Sequence, residues 1–262
     1  MKLTFLGTGT SHGIPAIGCT CDVCQSDNRR NRRRRSSLYI QAGGVHVVID
    51  TPPDFRDQAL TFNVARVDAV LLTHAHADHI FGFDDLRRFC FLQKMIIPVY
   101  GSSITLASMR EKFGYVFEDS LWRKSVPQVT FCEVDQPFQV GALQITPLPV
   151  PHGPMQVYGY LIEADGHRVA YIPDCSAVPE ELMTALPPLD VMILDALRDR
   201  PHPTHLTVDQ AVDALQRIGA DRSYLTHLCH DLEHEATQQR LPAGIHVAYD
   251  GLRIDLSREC IT

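Results

Sequence analysis

The sequence predicts a layered α/β domain, with β-sheets inside and helices outside. Short apolar runs typical of strands alternate with helical patterns along the chain. Neither a repeat of fixed period nor a Gly/Ser-rich linker interrupts this pattern, so we expect one domain over residues 1–262. With 45% hydrophobic residues among 262, the chain can bury a large core.

The N-terminal half is predicted to contain mainly strands. Single apolar runs predict strands over residues 2–6, 67–72, 96–100 and 129–133. Two further runs, 37–41 and 45–50, flank the residues AGG and predict a hairpin. Helical spacing is found over residues 84–94 and 103–113.

The C-terminal half continues the alternation. Strands are predicted over residues 143–147, 157–163, 168–172, 190–195 and 222–226. A short helix is expected after Pro179, and Thr207 with Gln210 forms a capping-box pattern before a longer helix. The last elements are predicted as a helix over 231–239 and an extended segment over 246–255.

Charge is distributed unevenly along the chain. The net charge is −7, yet residues 29–35 read RRNRRRR and hold six of the 24 basic residues. The remaining surface is therefore acidic, which argues against broad nucleic-acid binding. We interpret Arg29–Arg35 as a solvated surface loop. The alternative is that some of these arginines hold a phosphate through bidentate hydrogen bonds.

The cysteines and the apolar runs bear on the location of the protein. No apolar run reaches about 18 residues, so no membrane span is predicted. The first residues, MKLTFLGTGTSHG, are typical of a first strand rather than of a signal peptide. Five of the eight cysteines are scattered, at Cys90, Cys132, Cys175, Cys229 and Cys260. This usage favours a reducing cytoplasm over disulfide formation.

The motif THAHADH at residues 73–79 carries the chemistry. It follows the apolar run VDAVLL, so His74, His76, Asp78 and His79 lie where a buried strand ends. A strand end on a rigid sheet can direct several ligands toward one point. Imidazoles and a carboxylate suit zinc, manganese or iron.

The sequence resembles the metallo-β-lactamase superfamily. The HxHxDH motif at residues 74–79 is the most specific mark. Three later segments complete the pattern, each after an apolar run: PVPHG with His152, AYIPDCS with Asp174 and YLTHLCH with His227. The resemblance covers nearly the whole chain and implies the αββα four-layer sandwich.

The resemblance also implies two catalytic metals. His74, His76 and His152 would bind the first, Asp78, His79 and His227 would bind the second, and Asp174 would bridge them together with a hydroxide. Zinc or manganese is expected, with iron and nickel as alternatives. Lactamases of the superfamily typically lack a histidine at the place of His79, while its phosphodiesterases and thioesterases have one. A second intact metal site favours hydrolysis of phosphate esters.

A separate metal site is indicated by GCTCDVC, which places Cys19, Cys21 and Cys24 close together. Structural zinc usually has four protein ligands, so one is missing from this segment. The sequence most resembles phosphoribosyl 1,2-cyclic phosphate phosphodiesterases of the carbon–phosphorus lyase pathway and their relatives. There, a histidine three residues beyond the last catalytic histidine completes the zinc. That position is His230, with Cys229 as the alternative, and the zinc loop would span residues 18–36.

The loop DRPHPTHLTVDQ offers a candidate general acid. In the cyclic phosphodiesterases a histidine of this loop faces the active site, and His205 is the matching position. It would protonate the leaving oxygen or stabilise the phosphorane, and Asp195 could orient it. The alternatives are His202 as the acid, or a histidine on a surface loop without a catalytic role.

The glycines of LGTGTSHG do not form a dinucleotide fingerprint, because no helix pattern follows them directly. We expect Gly7, Gly9 and Gly13 to let the backbone pass close to the metal centre. His12 lies in the same turn, where a structural role is expected rather than substrate contact.

The predicted function is a dinuclear-metal phosphodiesterase that acts on a small cyclic or mono-esterified phosphate through the bridging hydroxide, with a cyclic ribosyl phosphodiester as one option. The expected partner is this small molecule, with neither membrane nor nucleic acid, and homodimerisation is left open. One alternative is a tRNA 3′-processing endonuclease, but residues 80–151 show no Gly/Pro-rich basic arm. A thioester hydrolase would need a longer helical segment after His227. A non-enzymatic zinc-binding or redox-sensing protein would be expected to lose metal ligands.

Overall fold

Two seven-stranded sheets form the centre of the structure, a computed structural model that describes residues 1–118 and 125–257. The strands in chain order are β1 (Lys2–Gly7), β2 (Ser37–Ala42), β3 (Val45–Ile49), β4 (Ala69–Leu71), β5 (Ile97–Gly101), β6 (Val129–Glu133), β7 (Phe138–Val140), β8 (Leu143–His152), β9 (Met155–Ala164), β10 (His167–Ile172), β11 (Val191–Asp195), β12 (Arg222–Thr226), β13 (Ile245–Val247) and β14 (Arg253–Asp255). The first sheet has the order β14-β1-β2-β3-β4-β5-β6, and the second β13-β12-β11-β10-β9-β8-β7.

Most of the helices lie on the outer faces of the sheets. They are α1 (Asp22–Gln25), α2 (Phe55–Phe62), α3 (Ala77–Ile80), α4 (Leu86–Gln93), α5 (Ser103–Lys112), α6 (Glu180–Ala185), α7 (Val208–Ile218) and α8 (His234–Arg240). Single 3₁₀ turns occur at Arg29–Asn31, Phe83–Asp85 and Gly114–Val116. None of the helices within the described residues has the length and apolar character needed to span a membrane.

Three apolar layers hold these elements together. The central layer joins the inner faces of the two sheets, for example Phe5 and Ile49 of the first with Ile162 and Ile193 of the second. The outer layers pack α2, α4 and α5 on the first sheet, and α6 and α7 on the second. This arrangement confirms the predicted αββα sandwich, because each sheet buries both of its faces.

Most of the predicted elements are present within one to three residues of their expected bounds. The AGG segment forms the turn of the β2–β3 hairpin, where Gly43 and Gly44 have positive φ angles. The capping box is also present, since Gln210 N donates to Thr207 Oγ1 at 3.2 Å and Thr207 N donates to Gln210 Oε1 at 2.9 Å. Both features depend on hydrogen bonds and backbone angles of neighbouring residues, which short sequence patterns predict well.

The last extended segment was predicted wrongly. Residues 246–255 do not form one strand, because a turn at Tyr249–Leu252 divides them between β13 in the second sheet and β14 in the first. The helix expected at 231–239 begins only at His234, where the side chain of Glu233 accepts a hydrogen bond from Ala236 N at 2.8 Å. Helices α1, α2 and α3 and strand β7 were missed. Cys260 lies outside the described residues, and the seven described cysteines are free thiols.

Candidate metal centre

The predicted ligands come from strands whose ends meet at one edge of the sandwich. His74 to His79 follow β4, His152 ends β8, Asp174 follows β10, and His227 follows β12. Strands β10, β11 and β12 are parallel and in register, so their carboxyl ends lie side by side. The two sheets therefore direct all seven side chains into the same region.

Three histidines form the first group. His74, His76 and His152 offer ring nitrogens that lie within 4.8 Å of one another. His74 Nε2 is 2.8 Å from His76 Nδ1. His152 Nδ1 donates to the carbonyl of Thr204 at 2.8 Å, which leaves Nε2 as the nitrogen facing the group. His74 and His152 are buried, whereas His76 is exposed and marks the solvent side.

A second group consists of Asp78, His79 and His227, whose candidate ligand atoms also lie within 4.8 Å of one another. His79 Nε2 is 3.4 Å from Asp78 Oδ2. The ring of His79 stacks on that of His227 with a centroid distance of 5.7 Å. His227 itself adopts a left-handed backbone conformation with φ 59°, an uncommon one for a residue with a side chain.

Asp174 lies between the two groups and divides its oxygens between them. Oδ2 is 4.0 Å from Nε2 of both His74 and His152. Oδ1 is 3.3 Å from His79 Nε2 and 3.2 Å from His227 Nδ1. One buried carboxylate thus faces both sets of ligands, as a bridging ligand must.

The donor set fits divalent cations. Among the described residues, His79 Nε2 and Asp174 Oδ1 are buried and lack a geometrically acceptable hydrogen-bond partner. Burial opposes charge on His79, but Asp174, Asp78 and Asp50 surround it and hold its pKa well above the ordinary value. Such a concentration of carboxylates attracts cations, and bound dications would satisfy the unpartnered atoms.

Asp50 belongs to this site and was missed. It ends the run 45–50, is fully buried, and accepts a hydrogen bond from His79 Nδ1 at 2.7 Å. Its carboxylate also accepts from the backbone N and the hydroxyl of Thr73, both at 2.8 Å. Asp50 therefore orients His79 and links β3 to the ligand loop. The available signal was an aspartate at the end of a predicted buried strand, a position that Asp174 shares.

His205 lies against both groups. Its ring is 4.8 Å from that of His152 and 4.7 Å from that of His227, measured between centroids. Nδ1 is 3.0 Å from Asp195 Oδ2, so Nε2 is the free nitrogen. Burial opposes protonation, but the Asp195 carboxylate more than offsets it and raises the pKa of His205 to about 9. Burial raises the pKa of Asp195 to about 6.

His202 is placed further from the ligands. Its ring centroid is 5.2 Å from that of His205, and its Nδ1 accepts hydrogen bonds from Thr204. Both histidines line a cavity of about 190 Å³, together with His12, Gly13 and Arg198. His205 is buried at its inner side, whereas His202 is partly exposed.

Cys19, Cys21, Cys24 and His230 form a separate four-membered group. The sulfur atoms lie 3.1, 3.6 and 3.4 Å from His230 Nδ1, in that order. The backbone N–H of Cys24 lowers the pKa of Cys21 to about 7, which favours the thiolate form. The Cys229 sulfur is outside this group and accepts from Asp231 N at 3.4 Å. A Cys₃His set of this kind suits zinc.

The Arg-rich segment is a solvated loop only in part, because Arg29, Arg30 and Arg32 are exposed whereas Arg34 and Arg35 are half-buried. Arg33 is buried, and Nη1 donates to Thr8 Oγ1 at 2.8 Å and to the carbonyl of Ala248 at 2.5 Å. The segment packs on the N-terminal turn, where a Cβ atom on Gly7 would lie 1.9 Å from the Arg35 carbonyl oxygen. The glycines thus leave room for the backbone of residues 33–35. The next residue, Ser36, contacts the metal-ligand candidate His227, with Oγ 3.1 Å from Nδ1.

Comparison with known proteins gives the same family from sequence and from structure. Residues 46–228 match the Beta-lactamase superfamily domain. A crystal structure of a diphosphatase from the PhnP family superposes with a TM-score of 0.90 and 40% identity, over 97% of each chain. Zn(2+)-bound PqqB from Methylobacterium extorquens superposes with a TM-score of 0.79 over 98% of this chain and all of that one, and at 23% identity this likeness shows the fold.

A curated relative is the octanoyltransferase of Porphyromonas gingivalis, which is 39% identical over 257 residues. The match includes 96% of this chain but only 51% of that protein, so the chain spans about half of its length. The superfamily match and the 40% identity over nearly the whole chain place this protein among metal-dependent hydrolases. The chain belongs to the β-lactamase superfamily, with the metallo-β-lactamase fold, and within it to the PhnP family.

Proposed function

We propose that the protein is a phosphodiesterase that hydrolyses a small phosphoric diester at the site between the two ligand groups. The observation that carries this proposal is the position of His205, held by Asp195 beside His152 and His227. The fold of this family implies divalent metals but does not by itself specify the reaction. An alkoxide leaving group needs a proton donor close to the metals, and a histidine held by a carboxylate can be that donor.

The residues that would hold the metals are those of the two groups described above. His74, His76 and His152 form one set, Asp78, His79 and His227 form the other, and Asp174 belongs to both. Two divalent cations in such a site, zinc or manganese, would lower the pKa of water and offset the charge of the phosphate. Asp50 keeps Nδ1 of His79 engaged, so that Nε2 is directed at the second set.

His205 would act as the general acid. The buried Asp195 carboxylate beside it raises the pKa of His205 above the ordinary value, which favours the imidazolium form. The imidazolium donates a hydrogen bond from Nδ1 to Asp195 and carries its second proton on Nε2, on the side of the cavity. That proton can pass to the oxygen of the departing alcohol, and the carboxylate stabilises the cation until it does.

The proposed structural zinc would be held by Cys19, Cys21, Cys24 and His230. Four protein ligands leave no position for a substrate, so its role would be to join the N-terminal loop to the loop that carries His227. The intervening contacts support this, because Thr10 N donates to the Leu228 carbonyl and Leu228 N to the Thr8 carbonyl, both at 3.0 Å.

A second candidate activity is hydrolysis of a diphosphate. It is supported by the 40%-identical relative, which is described as a diphosphatase. Both reactions displace an oxygen from phosphorus, but the leaving phosphate of a diphosphate needs less protonation than an alkoxide does. A diphosphatase would therefore depend less on His205.

The experiment is a substrate panel with zinc- or manganese-loaded protein: bis-(p-nitrophenyl) phosphate, cyclic nucleotides, a nucleoside diphosphate ester and an octanoyl thioester. We expect hydrolysis of the diesters and little hydrolysis of the thioester. Preferential cleavage of the diphosphate would favour the second candidate. Thioester cleavage without diester cleavage would overturn the proposal.

A further inference from the structure

His227 is the ligand candidate whose ring is enclosed by two other histidines. It follows β12, its backbone is left-handed, and its side chain is buried. The ring lies between those of His79 and His205, with centroid distances of 5.7 and 4.7 Å and interplanar angles of 16° and 14°. Stacking fixes the plane of an imidazole, but a half-turn of the ring within that plane exchanges its two nitrogens. Another contact must therefore decide which nitrogen faces the ligand groups.

Polar atoms on both sides of the ring make this decision. Nδ1 of His227 is 3.2 Å from Oδ1 of Asp174, the carboxylate between the two ligand groups, and 3.1 Å from Oγ of Ser36. Nε2 lies on the other side of the ring, 3.2 Å from Oγ1 of Thr10. All four side chains are buried, so bulk water does not compete for these contacts.

The hydrogen of the Ser36 hydroxyl is already engaged. It is donated to the carbonyl of Gly9 at 3.1 Å, and a hydroxyl has a single hydrogen. The oxygens of Ser36 and Asp174 therefore present lone pairs to Nδ1 of His227. Nδ1 can meet them with a proton or with a metal, and metal binding requires the unprotonated form.

Thr10 affects how stable that unprotonated form is. In a neutral imidazole whose Nδ1 is unprotonated, the hydrogen is on Nε2. Nε2 of His227 can then donate to Oγ1 of Thr10. Without this acceptor the buried N–H would be unpaired, which is unfavourable.

Backbone hydrogen bonds hold Thr10 against the loop of His227. Thr10 N donates to the carbonyl of Leu228, and Leu228 N donates to the carbonyl of Thr8, both at 3.0 Å. Gly9 and Leu228 form a parallel β-bridge between the same two segments. The hydroxyl of Thr10 is thus fixed beside the ring by the residue that follows His227.

From this arrangement we propose that Thr10 is a positioning residue for His227. Its hydroxyl accepts a hydrogen bond from Nε2 and so keeps Nδ1 unprotonated and directed at the second ligand group. The consequence is a higher affinity of that group for a divalent metal. Any effect on the rate rests on the proposed function, whereas metal affinity is measured without a substrate.

The test dialyses zinc-loaded protein against buffers of defined free zinc concentration and measures bound zinc by elemental analysis. Thr10→Val keeps the shape of the side chain without the hydroxyl. One zinc equivalent should then need about 10- to 100-fold more free zinc, the usual effect of such a partner. Thr10→Ser should keep the wild-type affinity. Thr226→Val is the matched control, because the buried Thr226 hydroxyl next to His227 has no acceptable hydrogen-bond partner within residues 1–118 and 125–257.

Ser36→Ala tests the assignment of the two nitrogens. Because Ser36 accepts no hydrogen from a metal-bound Nδ1, this variant should lose much less affinity than Thr10→Val. Long-range ¹H–¹⁵N spectra of zinc-loaded protein with labelled histidine should show the hydrogen of His227 on Nε2. A hydrogen on Nδ1, or a loss in Ser36→Ala with wild-type affinity in Thr10→Val, would overturn the proposal.

Two further results would also overturn it. Thr10→Val could bind zinc as tightly as the wild type. Thr10→Ser could lose as much affinity as Thr10→Val, which would show that packing rather than the hydroxyl matters. Circular dichroism checks that the variants fold. If the wild type binds the metals but cleaves no diester, the proposed function fails, while a loss of affinity confined to Thr10→Val still supports the positioning role.

Discussion

Nδ1 of His205 lies 3.0 Å from Oδ2 of Asp195, in a contact where the carboxylate is fully buried and the imidazole nearly so. The same carboxylate oxygen accepts from Cys175 N and Leu206 N, each at 3.2 Å. Three donors converge on one oxygen, so Asp195 is fixed by the backbone of two loops. Asp195 can therefore hold His205 in one orientation while the imidazole of His205 gains or loses a proton.

His205 should determine how the rate depends on the leaving group. His205→Ala should slow a diester with a poor alkoxide leaving group by roughly two to four orders of magnitude, the range of acid–base catalysis. A p-nitrophenyl ester should lose much less, because p-nitrophenolate leaves without a proton. His202→Ala is the matched control from the same cavity and should resemble the wild type. Equal losses on both esters would mean that His205 binds substrate or stabilises the phosphorane.

Asp174 should be needed for both metals and Asp78 for one. Asp174→Ala removes the carboxylate that faces both ligand groups, so both metals should be lost or weakened. Asp78→Ala should empty the second group alone. Elemental analysis of the purified variants measures this, with Asp190→Ala, a surface aspartate paired with His167, as the control. Full metal content and an unchanged rate in Asp174→Ala would contradict the dinuclear assignment.

Asp50 should affect the metal through His79. Asp50→Asn replaces the hydrogen-bonded carboxylate with an amide of similar size, and partners of this kind typically contribute 10–100-fold to metal affinity. We expect about this loss of affinity at the second group, with activity restored at high metal concentration. Titration of metal into chelator-treated protein is the measurement. Activity that stays low at saturating metal would assign Asp50 a different role.

The Cys₃His group should contribute to stability before activity. Cys21→Ser or His230→Ala should release one zinc per chain and lower the midpoint of thermal unfolding, because binding of a structural metal is coupled to folding. Cys229→Ser should keep the zinc, since the Cys229 sulfur lies outside the group. Loss of zinc from Cys229→Ser with retention in His230→Ala would show that the fourth ligand is Cys229.

His234 should make stability depend on pH. Burial and the charge of Arg33, whose Nη2 is 3.2 Å from His234 Nδ1, lower the pKa of His234 to about 4. An unfolded histidine titrates near pH 6.5. As the pH falls from about 6.5 toward 4, the unfolded state binds a proton that the folded state does not, so the free energy of unfolding decreases.

The test is urea denaturation of wild type and His234→Asn between pH 7 and pH 5. The variant will be less stable at neutral pH if packing is lost, but its free energy of unfolding should fall less over this range. The difference in slope is therefore the readout. Parallel pH profiles would show that His234 is not the group that titrates.

Much of the fold was accessible from the sequence. Strands such as β1 and β12 are buried apolar runs, and the β2–β3 hairpin and the capping box of α7 depend on residues next to one another in the chain. These features depend on interactions between residues close together in the chain: backbone hydrogen bonds, side-chain alternation and turn chemistry. The same is true of the motif at residues 73–79, whose donor atoms are of the types that divalent metals prefer.

The tertiary structure alone decided which distant residues meet. Asp50 reaches His79 only because β3 and β4 are adjacent in one sheet, and Arg33 is buried only because the segment 33–35 packs on the N-terminal turn. The division of residues 246–255 between two sheets is of the same kind. Charge and hydropathy describe a residue by itself, whereas burial and pairing depend on the partners that long-range packing supplies. For this reason the sequence identified the residue types that could bind metal. The packing of the two sheets determined which other residues contact those ligands and which grooves lie beside them.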